Sequence, residues 1–283
     1  MEESKTKSGE EVKEKIKMKL DTKYEINWCP GCPNFMILDS AKKALANLIK
    51  KSYKHKEFAM VTGIGCHAKI FDYLNLSGVY GLHGRVLPTM LGIKIGNPNL
   101  TVIGFGGDGD TYSEGLSHFI SAGRYNVDMT LFVHDNQSFS LTTGQTTPTT
   151  QTGYKPKSEP LGNFNKPLNP IKLALDSGVS FVARCNAMDI KHTAMIMEKA
   201  IKHKGFAFVE IMQYCAIFNK DMNDLGKLMY KVKDNTDMNK ALKMADKWNY
   251  NSSKKGRIAL GVLYKENRPT LSDNWPRMKK IKR

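Results

Sequence analysis

Apolar residues follow two different rhythms along this chain. From Met36 to Lys50, MILDSAKKALANLIK sets Ile37, Ala41, Ala44, Leu45 and Leu48 on one face, the spacing of an amphipathic helix. Further on, apolar residues run together in FAMVTG (58–63), LTVIGFGG (100–107), DMTLFVHDN (128–136), VSFVARC (179–185) and GFAFVEIM (205–212). Runs this apolar suit parallel strands buried on both faces. Helical patterns such as SEGLSHFISAGRYN and DIKHTAMIMEKAIKHKG separate them. In the second, Asp189 is the expected N-cap, Ile190, Ala194, Met197 and Ile201 form a core-facing stripe, and Gly205 is the stop. The alternation predicts an α/β fold, a mostly parallel sheet flanked by helices.

The pattern weakens in three places. Residues 1–22 are rich in Lys and Glu and read as a charged, loosely helical lead-in. Residues 137–170 form a long irregular stretch, and a loop of that length inside a compact domain is usually functional or mobile. Residues 216–283 are polar and Lys-rich apart from the strand-like RIALGVLY, and read as a peripheral C-terminal extension packed on the domain or on a partner subunit. The α/β domain is therefore expected over 23–215.

Composition removes several function classes. No apolar run approaches the roughly 20 residues that span a bilayer, and the first residues are charged where a signal peptide would be apolar. A cytoplasmic protein without membrane contact is expected. The five cysteines, at 29, 32, 66, 185 and 215, are too scattered for a disulfide scaffold, so ligation or packing explains them better. The net charge of +16 lies largely at the two ends and on scattered lysines. It reads as a solvated surface suited to docking an acidic protein such as a small electron carrier, more than as a nucleic-acid site.

In an open parallel sheet, ligands bind beyond the carboxyl ends of the strands. GIGCHAK, GGDGD, HDNQS and QYCAIFN each follow an apolar run, so four polar or glycine-rich segments converge on one edge. GGDGD joins glycines that let a ligand approach the backbone with carboxylates that can hold a hard cation, the way Mg2+ grips a diphosphate. Cys29, Cys32, Cys66 and Cys215 offer four soft ligands, which suit zinc or a cubane iron-sulfur cluster equally. Cys185 closes an apolar run without neighbouring glycine or proline and reads as a buried small hydrophobe.

These motifs, in this order, carry a resemblance. WCPGCPNF, TGIGCHAKI, GLHGRVLPTMLGIKIGNPNLTVIGFGGDGD, VHDNQSFSLTTGQTTPT, YCAIFN and GVLYKENRPT, from Trp28 to Thr270, resemble the beta subunit of the 2-oxoacid:ferredoxin oxidoreductases, which binds thiamine diphosphate. The resemblance implies Mg2+ held by Asp108, Asn136 and the carbonyl of Ser138, with Gly109 and Asp110 at the cofactor diphosphate. It implies that Ile64, Gly65, Cys66 and His67 pack on the thiamine, that His83 contacts the cofactor, and that Ser140 and Leu141 add a further contacting pair. Cys29, Cys32, Cys66 and Cys215 match the ligands of a 4Fe-4S cluster, and Lys69 a basic position near the 2-oxoacid carboxylate. Four residues depart from the family pattern: Pro33, Phe139, Ser140 and Thr143 stand where it has glycine, tyrosine, glycine and an often basic residue.

The implied reaction is oxidative decarboxylation of a 2-oxoacid, with coenzyme A taking the acyl group and electrons leaving through the cluster to ferredoxin. An alpha subunit is implied as partner in a hetero-oligomer, because the glutamate that activates thiamine belongs to a separate pyrimidine domain and no second α/β half is apparent. The alternatives are a zinc-containing basic nucleic-acid-binding protein and a thiamine-dependent decarboxylase without electron transfer.

Overall fold

The computed structural model describes residues 19–250 and 256–281. Most of the expected lead-in lies outside the described residues. Its end is anchored: Leu20 is buried in the core and Asp21 pairs with Lys42 at 2.6 Å.

Among the described residues, eight strands form one sheet in the order β2-β1-β3-β4-β6-β5-β8-β7. They are β1 (Phe58–Thr62), β2 (Ser77–Tyr80), β3 (Thr101–Gly107), β4 (Met129–Asp135), β5 (Phe181–Asn186), β6 (Phe206–Met212), β7 (Met229–Lys231) and β8 (Ile258–Lys265). The first six strands in this order pair in parallel, and β8 runs antiparallel to β5. The fold is thus α/β with a mostly parallel sheet. The five apolar runs form β1, β3, β4, β5 and β6, whose side chains are almost all buried.

Two cores explain why. One face of the sheet carries Met60, Phe105, Phe132 and Val209 against Ile37, Leu45, Met197 and Ile201. These last four come from helices α1 (Asn34–Lys51) and α6 (Ile190–Lys202), the latter capped by Asp189 accepting from the His192 N–H. The opposite face carries Val61, Leu131, Val133 and Phe208 against Met90, Phe119 and Ala174. These lie on α3 (Val86–Gly96), α4 (Leu116–Tyr125) and α5 (Pro170–Asp176). Phe132 faces one core and its neighbours Leu131 and Val133 the other, the period of two that a pleated strand imposes.

The segment after residue 216 contributes more to this sheet than its polar composition suggests. β8 is inserted between β5 and β7, and its residues from Ile258 to Tyr264 are buried. Trp248, Tyr250, Ile258 and Leu260 form a third core with Met212, Met222 and Leu225. Below it, Arg184 on β5 donates through Nε to Glu210 Oε2 (2.5 Å) and through Nη2 to the Tyr250 hydroxyl (2.8 Å), which donates to Glu210 Oε1. All three are fully buried. A buried ion pair stripped of one partner leaves an uncompensated charge. Arg184→Met is therefore expected to lower stability by about 3–5 kcal/mol, read as a drop in the thermal denaturation midpoint.

Candidate functional site

β1, β3, β4 and β6 are consecutive in the sheet and parallel, so their carboxyl ends open onto one edge. After β1 comes the turn Gly63–Gly65 and the short helix Cys66–Lys69. β3 is followed by Asp108 and Gly109 and a π-turn over Asp110–Glu114, β4 by Asn136–Ser138, and β6 by Gln213–Cys215. One cavity lies among them. Ile64, Gly65, Cys66, His67, His83, Asp108, Gly109, Asp110, Asn136, Ser138, Ser140 and Leu141 all line it.

Asp108 is buried, and two threonine hydroxyls donate to its Oδ2: Thr147 at 2.6 Å and Thr149 at 2.9 Å. Burial lifts its carboxyl to about 6, against the pull of those hydroxyls and of backbone N–H groups. Asn136 Oδ1 accepts from the Ser138 N–H at 3.0 Å, and the Ser138 carbonyl accepts from Ser140 Oγ at 3.2 Å. Asp110 braces the rim: its Oδ1 accepts from the Gly84 N–H at 2.5 Å and its Oδ2 lies 3.3 Å from His67 Nε2. That second approach is too poorly aligned for a hydrogen bond, since both atoms are buried without a partner. His83 Nδ1 sits 2.8 Å from Glu114 Oε2.

The cavity wall holds other buried polar atoms without partners: Ser138 Oγ, His134 Nε2 and Gln213 Oε1. Orphaned polar atoms on a cavity wall are what a polar ligand satisfies. His134 is held neutral, its pKa pushed far below the usual histidine range by burial and by His67, while its Nδ1 lies 2.9 Å from Asn34 Oδ1. Close approach explains one glycine. A Cβ on Gly109 would stand 2.2 Å from Phe139 Cε1, and Phe139 also packs on the His83 ring at 5.8 Å. Gly109→Ala is expected to push Phe139 into the cavity and to weaken binding of a ligand there about tenfold or more, measured by calorimetric titration.

One cysteine, Cys66, lines this cavity. Burial raises the Cys32 and Cys66 thiols to about 11, and Cys29 and Cys215 add to both shifts by their charge. Cys32, on its own side, also raises Cys66. Cys185 shows no such neighbours: burial raises its pKa first, with Asp189 and Glu210 adding to it. Cys29, Cys32 and Cys215 thus lie close enough to act on Cys66 through their charge, whereas Cys185 is in the core. Trp28 Nε1 donates to the Cys66 carbonyl (2.7 Å) and the Tyr214 hydroxyl to the Gly31 carbonyl (2.9 Å), stitching the three cysteine segments together. Among the described residues no three His, Cys, Asp or Glu side chains converge on a single-ion position.

Pro33 now has a local reason. It precedes α1 with φ −64°, and its carbonyl accepts from the Met36 and Ile37 N–H groups. A fixed φ near the helical value suits a helix start, where a missing N–H costs nothing.

Residues 63–211 match the family described as thiamine pyrophosphate enzyme, C-terminal TPP binding domain. A 2-oxoacid:ferredoxin oxidoreductase subunit beta from Saccharolobus solfataricus is 42% identical over 252 residues, covering 84% of this chain and 81% of that one. The chain belongs to this family of beta subunits. A 2-oxoglutarate synthase subunit from Archaeoglobus fulgidus is 39% identical, over 66% of this chain and 69% of its own. Among solved structures, a 2-oxoglutarate:ferredoxin oxidoreductase from Magnetococcus marinus, with 2-oxoglutarate, coenzyme A and succinyl-CoA bound, superposes with a TM-score of 0.87. It shares 31% identity and covers 93% of this chain and 89% of that one.

Within this beta subunit one expected residue lies apart. Lys69 is not part of the cavity wall; its Nζ donates to Asn27 Oδ1 at 2.9 Å. Four residues of the site were missed by sequence reasoning. His134 and Gln213 sit inside the quoted HDNQS and QYCAIFN, and a rule that strand-end polar residues face the ligand edge would have found them. Thr147 and Thr149 carry no such local signal.

Proposed function

We propose that this beta subunit forms the thiamine diphosphate half of a hetero-oligomeric, cytoplasmic enzyme that converts a 2-oxoacid and coenzyme A to acyl-CoA and carbon dioxide. A 4Fe-4S cluster held by Cys29, Cys32, Cys66 and Cys215 would supply the one-electron carrier between that reaction and ferredoxin. The observation that carries this reading is the position of Cys66: it lines the cavity and also belongs to the thiol group. A carrier held by those thiols would adjoin the cofactor.

When bound, thiamine diphosphate would supply the electron sink for decarboxylation and a cubane the one-electron steps. The chain's own residues bind and orient. Asp108, Asn136 and the Ser138 carbonyl are the oxygens for Mg2+, a hard cation that prefers such donors. Gly109 and Asp110 face the diphosphate. Ile64, Gly65, Cys66 and His67 hold the thiamine, with His83, Ser140 and Leu141 as further contacts. Cys29, Cys32, Cys66 and Cys215 would ligate the cluster as thiolates, Cys32 and Cys66 giving up protons that burial otherwise retains. Lys69 would pair with the substrate carboxylate only by giving up its bond to Asn27 Oδ1. An alpha subunit supplies the activating glutamate and the remainder of the 2-oxoacid pocket.

Co-expression with that alpha subunit tests the proposal. A brown protein with four irons per beta chain, reducing ferredoxin or viologen with pyruvate, 2-oxoglutarate or a branched 2-oxoacid, is expected. A colourless protein with stoichiometric zinc would overturn it, and turnover by the beta chain alone would remove the alpha requirement.

A further inference from the structure

Beyond the ligands themselves, the cation site contains a buried hydroxyl cluster from a segment far along the chain. Thr147, Thr149 and Thr150 are 7%, 0% and 1% exposed. Thr147 Oγ1 and Thr149 Oγ1 both meet Asp108 Oδ2, and Thr149 Oγ1 also lies 3.1 Å from Asp135 Oδ1. Thr150 Oγ1 donates to the Gln137 carbonyl at 2.7 Å and accepts from the Thr147 N–H at 2.7 Å. Asp135 Oδ1 in turn accepts from the Gln137 N–H at 3.1 Å.

Gln137 stands between Asn136 and Ser138 and is left-handed, with φ +56°, a conformation that a non-glycine residue keeps only where its surroundings impose it. One segment therefore reaches both cation loops. Its first two hydroxyls take the same oxygen of Asp108, which fixes the carboxylate rotamer. Its third holds the turn that aims Asn136 and Ser138.

We propose that Thr147, Thr149 and Thr150 are positioning residues, a hydroxyl clamp that sets the β3 and β4 loops at the geometry Mg2+ requires. This rests on the Mg2+-diphosphate reading above. Mg2+ tolerates little departure from octahedral geometry, so a loosened carboxylate weakens binding even though every direct ligand is present.

The test uses the enzyme assembled with its alpha subunit, and reads Mg2+ affinity at saturating thiamine diphosphate by tryptophan fluorescence, alongside KM for Mg2+ and kcat. Thr147→Val and Thr149→Val are each expected to weaken Mg2+ binding about 10- to 100-fold. KM for Mg2+ should rise with kcat at saturation nearly unchanged, and Thr147→Ser and Thr149→Ser should restore binding. A merely structural role would instead lower the active fraction, hence kcat, and leave affinity in place. Valine variants that bind as wild type overturn the clamp, as do serine variants as weak as the valine ones. Should Thr149→Val not fold, Thr147→Val is read on the same scale, because its hydroxyl meets the same oxygen. Wild-type enzyme that binds neither Mg2+ nor thiamine diphosphate would overturn the functional reading itself, whereas binding by wild type and unaffected valine variants would overturn the clamp alone.

Discussion

Cys215→Ala is expected to yield an assembled enzyme without the broad visible absorption of an iron-sulfur cluster, with iron content near zero and ferredoxin reduction at background. Cys185→Ala should keep both. The two cysteines occupy similar places in the chain's logic, each just at or beyond the end of a buried strand, and each is buried. What separates them is company. Cys215 influences the Cys32 and Cys66 thiols across the space between three chain segments, and the Phe218 N–H approaches its sulfur at 3.4 Å. Hydrogen bonds of that kind tune cluster potentials. Cys185 packs among Ala183, Ala187, Met197 and Ile211, where removing a sulfur costs about 1 kcal/mol of stability. The loss of reduction in the first variant should exceed about a hundredfold, the upper range for disturbing even an outer-shell group. Iron retained in Cys215→Ala would show that the thiol set is wrong.

The same contrast shows what a linear reading can and cannot reach. The five strands were legible because burial on both faces makes apolar residues run together with few polar interruptions, and Phe132 with its neighbours illustrates this. The edge strand β2, with all four residues exposed, carries no such pattern, and α3 is so apolar that it lacks a helical stripe. β8 looked peripheral because it stands alone in a polar, Lys-rich segment, although at eight residues it is as long as any strand of the sheet. Its place between β5 and β7 comes from a pairing nearly eighty residues distant, Ala183 with Val262. At the site, Asp108, Asn136 and Cys66 announced themselves by following apolar runs. Thr147 and Thr149 act across sequence separations of 39 and 41 residues, and Lys69 is turned aside by one bond to Asn27. Such contacts depend on how loops fold back, which no local period encodes.

Asp108→Asn is expected to separate function from stability. The amide has the shape of the carboxylate and can still accept the Thr147 and Thr149 hydroxyls through its oxygen, so the loop has no steric reason to move. Its NH2 group then takes the place of the second carboxylate oxygen, presenting a donor where Mg2+ needs an anionic oxygen. Affinity for Mg2+ and thiamine diphosphate should fall about a hundredfold or more, and turnover with it. In the absence of Mg2+ and cofactor the folded protein should be no less stable than wild type, and more stable where the wild-type carboxylate is charged. A buried carboxylate without a counter-ion is costly, whereas a hydrogen-bonded amide is not. Calorimetric titration and thermal denaturation of the same preparation measure both quantities. Loss of binding together with a large loss of stability would make Asp108 a structural residue. A stable variant that binds as wild type would move the cation elsewhere in the cavity.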